Sequence, residues 1–171
     1  MSETSFDYTE VVAAPLDAVW AAMQRTSELD VLGGQAVIER TSDADWTCQL
    51  EGDKHTTHCT AVYDEAAHAV TVTLDSTAKR VNDTTVITAA PAEGGTEVHV
   101  TSTIRGGAIV AGMLKLVGKI GVQGTNKAIV RNIAALATGG EAHVMTSDEV
   151  SAIAHERLTE LKDSRSKSNS K

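Results

Sequence analysis

Residues 107–138 read GAIVAGMLKLVGKIGVQGTNKAIVRNIAALAT and form the longest helical pattern in a chain of 171 residues. Every candidate strand lies before this stretch. Polar side chains recur in it at a strict spacing of four, which predicts a polar stripe on one side of a helix: Lys115, Lys119, Gln123, Lys127 and Arg131. We assign to the opposite side three apolar groups, large, small and large again: Val110, Met113, Val117 and Ile120; Gly121, Gly124 and Ala128; and Ile129, Ile133 and Leu136.

Glycines are unusually frequent in this helix: Gly112, Gly118, Gly121 and Gly124. Each costs about 1 kcal/mol relative to alanine inside a helix, which indicates that another element comes close. Two explanations remain open, namely close packing of the helix on a sheet or a gap between helix and sheet that holds a ligand. A membrane span is excluded because charges interrupt the stretch every few residues.

The composition is that of a soluble globular domain, with 42% hydrophobic and 22% charged residues. A net charge of −8 and an aromatic content of 3% argue against a nucleic-acid partner. Residues 1–10 are acidic and lack the apolar core of a signal peptide. The two cysteines are therefore expected to be reduced, in a cytoplasmic protein.

The chain begins with a strand and a helix. Alternation predicts a strand at Ser5–Val12. Pro15 suits the first helical turn and Asp17 the positive helix end, and one face of this helix is apolar: Leu16, Val19, Trp20 and Met23. A short second helix or a turn follows at Ser27–Leu32 and ends at Gly33-Gly34.

From Gln35 to Arg105 the apolar period is two, which predicts six strands: Gln35–Arg40, Asp45–Glu51, Lys54–Tyr63, His68–Asp75, Val81–Ala89 and Thr96–Ile104. Gly52-Asp53 suits a two-residue type II′ turn. That turn places Trp46 across from Cys59 and Cys48 across from Thr57, so these aromatic and thiol side chains share one face with Tyr63.

The end of the chain differs in composition. Gly139-Gly140 breaks the long helix, and Thr146-Ser147-Asp148-Glu149 is a capping box that opens another helix with a narrow apolar stripe: Val150, Ile153, Leu158 and Leu161. Ser164–Lys171 is expected to be disordered. We divide the chain into a domain at residues 1–138 and an extra segment at 139–171, and expect truncation after Thr138 to leave the domain folded.

The order of these elements resembles the START-like superfamily, which includes the polyketide cyclases and is also known as SRPBCC. The resemblance rests on residues 12–20, VAAPLDAVW, and on Gly106-Gly107 before the long helix. Within the superfamily, Leu29, Gly33-Gly34 and the glycine-bearing helix are similar to the group named after the G subunit of carbon monoxide dehydrogenase. The resemblance implies an α+β helix-grip fold, in which a seven-stranded antiparallel sheet curls around the long helix and an apolar ligand lies between them.

The residue types of a metal or nucleophile site occur together at His55, His58 and Cys59, with Cys48 on the next strand. In a strand, however, His58 points away from Cys59, so a tetrahedral site would have to draw ligands from both faces of a sheet. We predict no metal and no cofactor, and expect two buried thiols that pack as small hydrophobes. His99 is expected on the outer face, where water reaches it.

The favoured function is non-enzymatic binding of a small hydrophobic ligand, lipid-like or polyketide-like. The candidate ligand-binding residues are Trp46, Cys48, Cys59, Tyr63, Ser102, Met113, Val117, Ile120, Gly121 and Gly124. Ser102 either faces the cavity or bonds to nearby backbone. Two alternatives stay open. One is a cyclase- or hydrolase-type enzyme in the same cavity. The other is a recruitment module whose basic stripe docks on a membrane or an acidic protein, through Lys115, Lys119, Lys127 and Arg131.

Overall fold

A computed structural model describes residues 2–50, 54–77, 82–106 and 119–168. Seven strands form one antiparallel sheet with the order β1-β7-β6-β5-β4-β3-β2. Their bounds are β1 Ser2–Val12, β2 Gln35–Ser42, β3 Asp45–Leu50, β4 Thr57–Asp64, β5 Ala69–Ser76, β6 Asn82–Ala92 and β7 Gly95–Gly106. The seven predicted strands are therefore confirmed, with ends that differ by a few residues.

The register of β3 and β4 agrees with the prediction, because Trp46 pairs with Cys59 and Cys48 pairs with Thr57. The strand predicted from Lys54 starts three residues later, at Thr57, so His55 precedes it. The turn predicted at Gly52-Asp53 lies outside the described residues. We call the side of the sheet that carries Trp46, Cys48 and Cys59 the inner face.

Helix α1 spans Leu16–Met23 and is capped by Pro15 in an extended conformation. The sequence predicts Pro15 within the first helical turn, whereas in the structure it lies one residue before that turn. Val19, Trp20 and Met23 are buried as expected. The short helix or turn expected at Ser27–Leu32 is a 3-10 helix at Thr26–Glu28, and Gly33 and Gly34 follow it with positive φ.

Helix α2 spans Lys119–Ala137 and packs mainly on β1, on β7 and against α1. The start predicted at Gly107 and residues up to 118 lie outside the described residues. Its buried side chains are Asn126, Ile129, Val130, Asn132 and Ile133. Ile129 and Ile133 were assigned to the inward face correctly, whereas Gly124 and Ala128 were not, because they line a cleft on another side of the helix.

Helix α3 spans Ser147–Ser168. The capping box is confirmed, since Thr146 N donates to Glu149 Oε2 at 2.7 Å and Glu149 N donates to Thr146 Oγ1 at 3.2 Å. The expectation of disorder from Ser164 is wrong as far as Ser168, because the helix continues through these residues. In this last part, Ser166 Oγ donates to the carbonyl of Asp163 at 2.9 Å.

The connection between α2 and α3, residues 138–146, is tied to the rest of the domain by buried polar side chains. The amide of Asn132 donates to His143 O at 3.0 Å and to Leu29 O at 3.1 Å, and accepts from His143 N at 2.9 Å. The carboxylate of Asp30 accepts from Gly34 N and from Met145 N. Asp30 is fully buried. The segment after α2 is thus attached to the loop that precedes β2.

None of the helices in the described ranges is both long enough and apolar enough to cross a lipid bilayer.

Candidate functional site

The candidate site lies on the inner face of β3 and β4, which carries one aromatic ring and two thiols. Trp46, Cys48 and Cys59 are all buried, with exposed fractions of 1%, 0% and 0%. The pairing of Trp46 with Cys59 brings these side chains together. Because α2 packs mainly on β1 and β7, this group lies toward the opposite end of the strand order.

The indole N–H of Trp46 is a buried donor with no hydrogen-bond partner among the described residues. A buried N–H normally bonds to protein or to ordered water, because an unpaired donor costs about 1–3 kcal/mol. A ligand group with a lone pair is one way to satisfy such a donor.

The two thiols contact each other, with Cys48 Sγ and Cys59 Sγ 3.7 Å apart, and both cysteines are free. The hydrogen bond with Cys48 and burial both raise the pKa of Cys59 well above that of an ordinary thiol. The same hydrogen bond lowers the pKa of Cys48, while burial and the charge of Asp30 oppose that change. Cys59 therefore stays protonated and hydrogen-bonds to its neighbour.

Ser102, on the inner face of β7, is 8% exposed and anchors α2. Its hydroxyl donates to Asn126 Oδ1 at 2.6 Å and lies 3.3 Å from Thr85 Oγ1. Asn126 Nδ2 also donates to Phe6 O at 3.2 Å. The Ser102 hydroxyl thus bonds to side chains. The sequence left two other roles open for it, a contact with the cavity or a hydrogen bond to nearby backbone. These contacts join β7, α2 and β1.

Tyr63 is half-buried and holds the end of α1. Its hydroxyl lies 2.8 Å from Thr26 Oγ1 and donates to the carbonyls of Gln24 and Asp43 at 3.2 and 3.4 Å. Burial raises the pKa of Tyr63, an effect that the Thr26 hydrogen bond opposes. The ring also packs edge-on against Trp20, with centroids 6.2 Å apart.

Several predicted site residues cannot be placed with these groups. Met113, Val117 and Lys115 lie outside the described residues. Lys119, Ile120 and Gly121 belong to the backbone of α2, but their side-chain surroundings are outside what the structure describes. The proposed ligand contacts of Met113, Val117, Ile120 and Gly121 therefore stay predictions.

Gly124, Lys127 and Arg131 lie in a different place, a cleft of about 900 Å³ between α2 and α3. Helix α2 contributes Gln123, Gly124, Lys127, Ala128 and Arg131 to this cleft. Helix α3 contributes Glu149, Ala152, Glu156 and Glu160. Tyr8, His143 and Met145 complete part of its lining. Lys127 and Arg131, from the described part of the basic stripe, are exposed and share this cleft with three glutamates of α3.

Within the described ranges, no three histidine, cysteine, aspartate or glutamate side chains converge as metal ligands. His58 Nε2 bonds to Asp45 Oδ1 at 2.8 Å, on the face of the sheet opposite to Cys59. His99 Nε2 bonds to Asp7 Oδ1 at 2.7 Å. His99 lies on the outer face, as predicted.

Three polar residues of structural weight, Asp30, Asn126 and Asn132, were not singled out in the sequence. Each is at most 4% exposed. A signal existed for the two asparagines, because residues 126, 129, 130 and 133 fall on one face of a 3.6-residue helix and residue 132 borders it. An amide among apolar positions indicates a buried hydrogen bond.

Comparison with curated proteins finds no match, whereas solved structures share the fold. Norcoclaurine synthase from Thalictrum flavum, a point mutant in complex with a transition-state analogue, is 15% identical with a TM-score of 0.60 and covers 80% of this chain and 95% of its own. A conserved protein from Geobacillus kaustophilus is 17% identical with a TM-score of 0.59, and covers 77% and 95%. A Thermus thermophilus protein is 19% identical with a TM-score of 0.56, and covers 80% and 97%.

A family profile described as polyketide cyclase / dehydrase and lipid transport matches residues 3–138. The match starts in β1 and ends just after α2, so it includes the sheet, α1 and the anchored long helix. The resemblance to the START-like superfamily is confirmed, and the helix-grip fold with it. By this match and by its fold, the chain belongs to the polyketide cyclase / dehydrase and lipid transport family.

Proposed function

We propose that this protein binds a small hydrophobic ligand, lipid-like or polyketide-like, on the inner face of the sheet at β3 and β4. The observation that carries the proposal is the buried indole N–H of Trp46, for which the described residues offer no acceptor. Family membership supports the same class of ligand. Because this donor lies on a buried face with two thiols, the ligand combines an apolar body with one carbonyl or hydroxyl oxygen.

Binding is favoured over catalysis by how the nearby titratable groups are used. The carboxylate of Asp30 accepts hydrogen bonds from backbone amides. Cys48 and Cys59 contact each other, and the hydroxyl of Tyr63 contacts Thr26. A general acid or base must reach the reacting group of a substrate, and these four groups already serve the fold.

Ligand identity is addressed by native mass spectrometry of the protein purified from its own host, followed by organic extraction of what co-purifies. An apolar molecule in one-to-one stoichiometry supports the proposal. Protein that carries nothing and also binds no neutral apolar probe in titration contradicts it.

The role of Trp46 is tested with two neutral fluorescent probes, prodan, which carries a ketone, and N-phenyl-1-naphthylamine, which does not. Trp46→Phe keeps an aromatic ring but removes the N–H, so it should weaken prodan binding roughly three- to tenfold, the worth of one hydrogen bond. Binding of N-phenyl-1-naphthylamine should change less. Trp20→Phe is the matched control, since Trp20 packs against Tyr63 and His68. Equal losses for both probes would contradict a hydrogen bond from Trp46.

A further inference from the structure

The cleft between α2 and α3 has one basic wall and one acidic wall. Lys127 and Arg131 lie four residues apart on α2, so they project from the same side of the helix. Glu156 lies on the opposite wall. All three side chains are exposed. The walls therefore carry opposite charges that face a common space.

These charges do not neutralise one another. Among the described residues, no ion pair within 4.0 Å includes Lys127, Arg131 or Glu156. Elsewhere in the cleft the charges are paired, since His143 Nε2 contacts Glu149 Oε2 at 2.9 Å. Lys127, Arg131 and Glu156 thus have no ionic partner among the described residues, and their charges are available to a third group.

Hydrogen bonds connect the start of α3 to the rest of the domain beside the cleft. Asn132 holds His143 through both atoms of its amide, Asp30 holds Met145, and the capping box fixes the first turn of α3. These partly buried or exposed hydrogen bonds attach the start of α3 to the end of α2 and to the loop before β2.

The lining of the cleft also includes small and apolar side chains. Gly124 and Ala128 on α2 and Ala152 on α3 leave space that larger side chains would fill, and Met145 adds a flexible thioether. A volume of about 900 Å³ accommodates an organic molecule of moderate size. The cleft combines these side chains with two cations on α2 and three glutamates on α3, of which Glu149 is paired with His143.

We propose that this cleft is a second ligand site, separate from the inner face, and that it takes a zwitterionic amphiphile. The phosphate or carboxylate of the ligand contacts Lys127 and Arg131, its ammonium group contacts Glu156, and its apolar part lies on the small side chains. A ligand with only a negative charge is repelled by Glu156. A ligand with only a positive charge is repelled by Lys127 and Arg131. Each therefore binds more weakly than a zwitterion.

The test uses the full chain and three probes with the same tail, kept below their micelle concentrations: dodecylphosphocholine, dodecyl phosphate and dodecyltrimethylammonium. Two NMR reporters separate the sites. The Met145 methyl group reports on the cleft, and the Trp46 indole N–H reports on the inner face. We expect dodecylphosphocholine to shift the Met145 signal with an affinity at least tenfold higher than either singly charged probe.

Substitutions then assign the charges. The double variant Lys127→Gln/Arg131→Gln should abolish the shift that dodecylphosphocholine causes in the Met145 signal. Glu156→Gln should remove the advantage of the zwitterion while leaving dodecyl phosphate as tight or tighter. Arg40→Gln, an exposed charge on β2, is the control and should change nothing. The proposal is overturned if Met145 does not respond, if only Trp46 responds, if dodecyl phosphate binds the parent protein as tightly, or if Glu156→Gln has no effect.

Discussion

The carboxylate of Asp30 accepts a hydrogen bond from the backbone N–H of Met145 at 2.9 Å, across 115 positions of sequence. It also accepts from Gly34 N at 2.8 Å. A buried charge is stable when several donors surround it. This contact therefore makes the α2–α3 connection part of the folded domain.

We expect Asp30→Ala to destabilise the protein by about 3 kcal/mol, because two partly buried backbone donors lose their acceptor. Asp30→Asn should cost less, since its amide oxygen still accepts and asparagine tolerates the positive φ of 56° at this position. Urea unfolding measures both changes. Asp75→Ala, at an exposed position, is the control and should stay within about 0.5 kcal/mol of the parent. Equal stability of Asp30→Ala and the control would contradict this role.

The same contacts change where the domain should end. We propose a boundary after Thr146, in place of the one inferred at residue 138. Truncation after Thr138 removes His143 and Met145, so the buried groups of Asn132 and Asp30 lose partners, and stability should fall by about 3 kcal/mol or more. Truncation after Thr146 keeps these bonds and should shift the melting temperature by a few degrees at most. Equal melting temperatures for the two shortened chains would restore the earlier boundary.

Asn126 and Ser102 should be energetically coupled. Asn126→Ala breaks bonds to Ser102 and Phe6 and should cost about 2 kcal/mol, while Ser102→Ala should cost about 1 kcal/mol. Since both changes remove the same 2.6 Å hydrogen bond, the double variant should lose less than the sum. A double-mutant cycle by chemical denaturation measures the difference. Additive losses would show that the bond contributes little.

The thiols should resist labelling in the native state. Cys48 and Cys59 are inaccessible to solvent, and the pKa of Cys59 is raised. A bulky thiol reagent reacts with the thiolate, so labelling should be slow even at alkaline pH and should reach two groups per chain only in denaturant. Mass spectrometry of the labelled protein counts the groups. Rapid native labelling of both would contradict their burial.

The start of α3 should respond to acid. A hydrogen bond from the Thr146 N–H and one from His143 lower the pKa of Glu149 below its ordinary 4.5. The deprotonated form is therefore favoured in the folded state, and its contribution is present above pH 4.5 and lost as pH falls through the lowered pKa. An NMR titration should place the Glu149 midpoint below 4.5. In Glu149→Gln, the Thr146 amide signal should lose this pH dependence; a signal that titrates unchanged would assign the effect to another group.

Much of the fold was predictable because its signals are local. Alternation located the strands, and the turn predicted at Gly52-Asp53 led to the pairing of Trp46 with Cys59 that the structure shows. The buried face of α2 was harder to predict, because residues four apart differ by about 40° around the axis of a helix with 3.6 residues per turn. Four such steps from Lys115 to Arg131 turn the stripe by about 160°, so the positions placed opposite it do not share one side. Gly124 was therefore assigned inward although it lines the cleft.

The candidate site was less predictable for a different reason. The sequence does not distinguish a buried carboxylate such as that of Asp30 from a solvated one, and its hydrogen-bond partner Met145 is distant in sequence. The charges of Lys127 and Arg131 could be assigned to a stripe, but not to a wall opposite Glu156. Contacts between remote segments depend on the path of the chain, which periodicity does not record.

The pairing of β1 with β7 has a consequence for synthesis on the ribosome. Phe6 pairs with Ser102, so the first strand made has no partner until residues near the end of the sheet emerge. At about 5–20 residues per second, this interval lasts roughly 5–20 s. During that time a nascent strand with an apolar face is available to chaperones or to other chains. The sheet thus closes only after β7 has emerged.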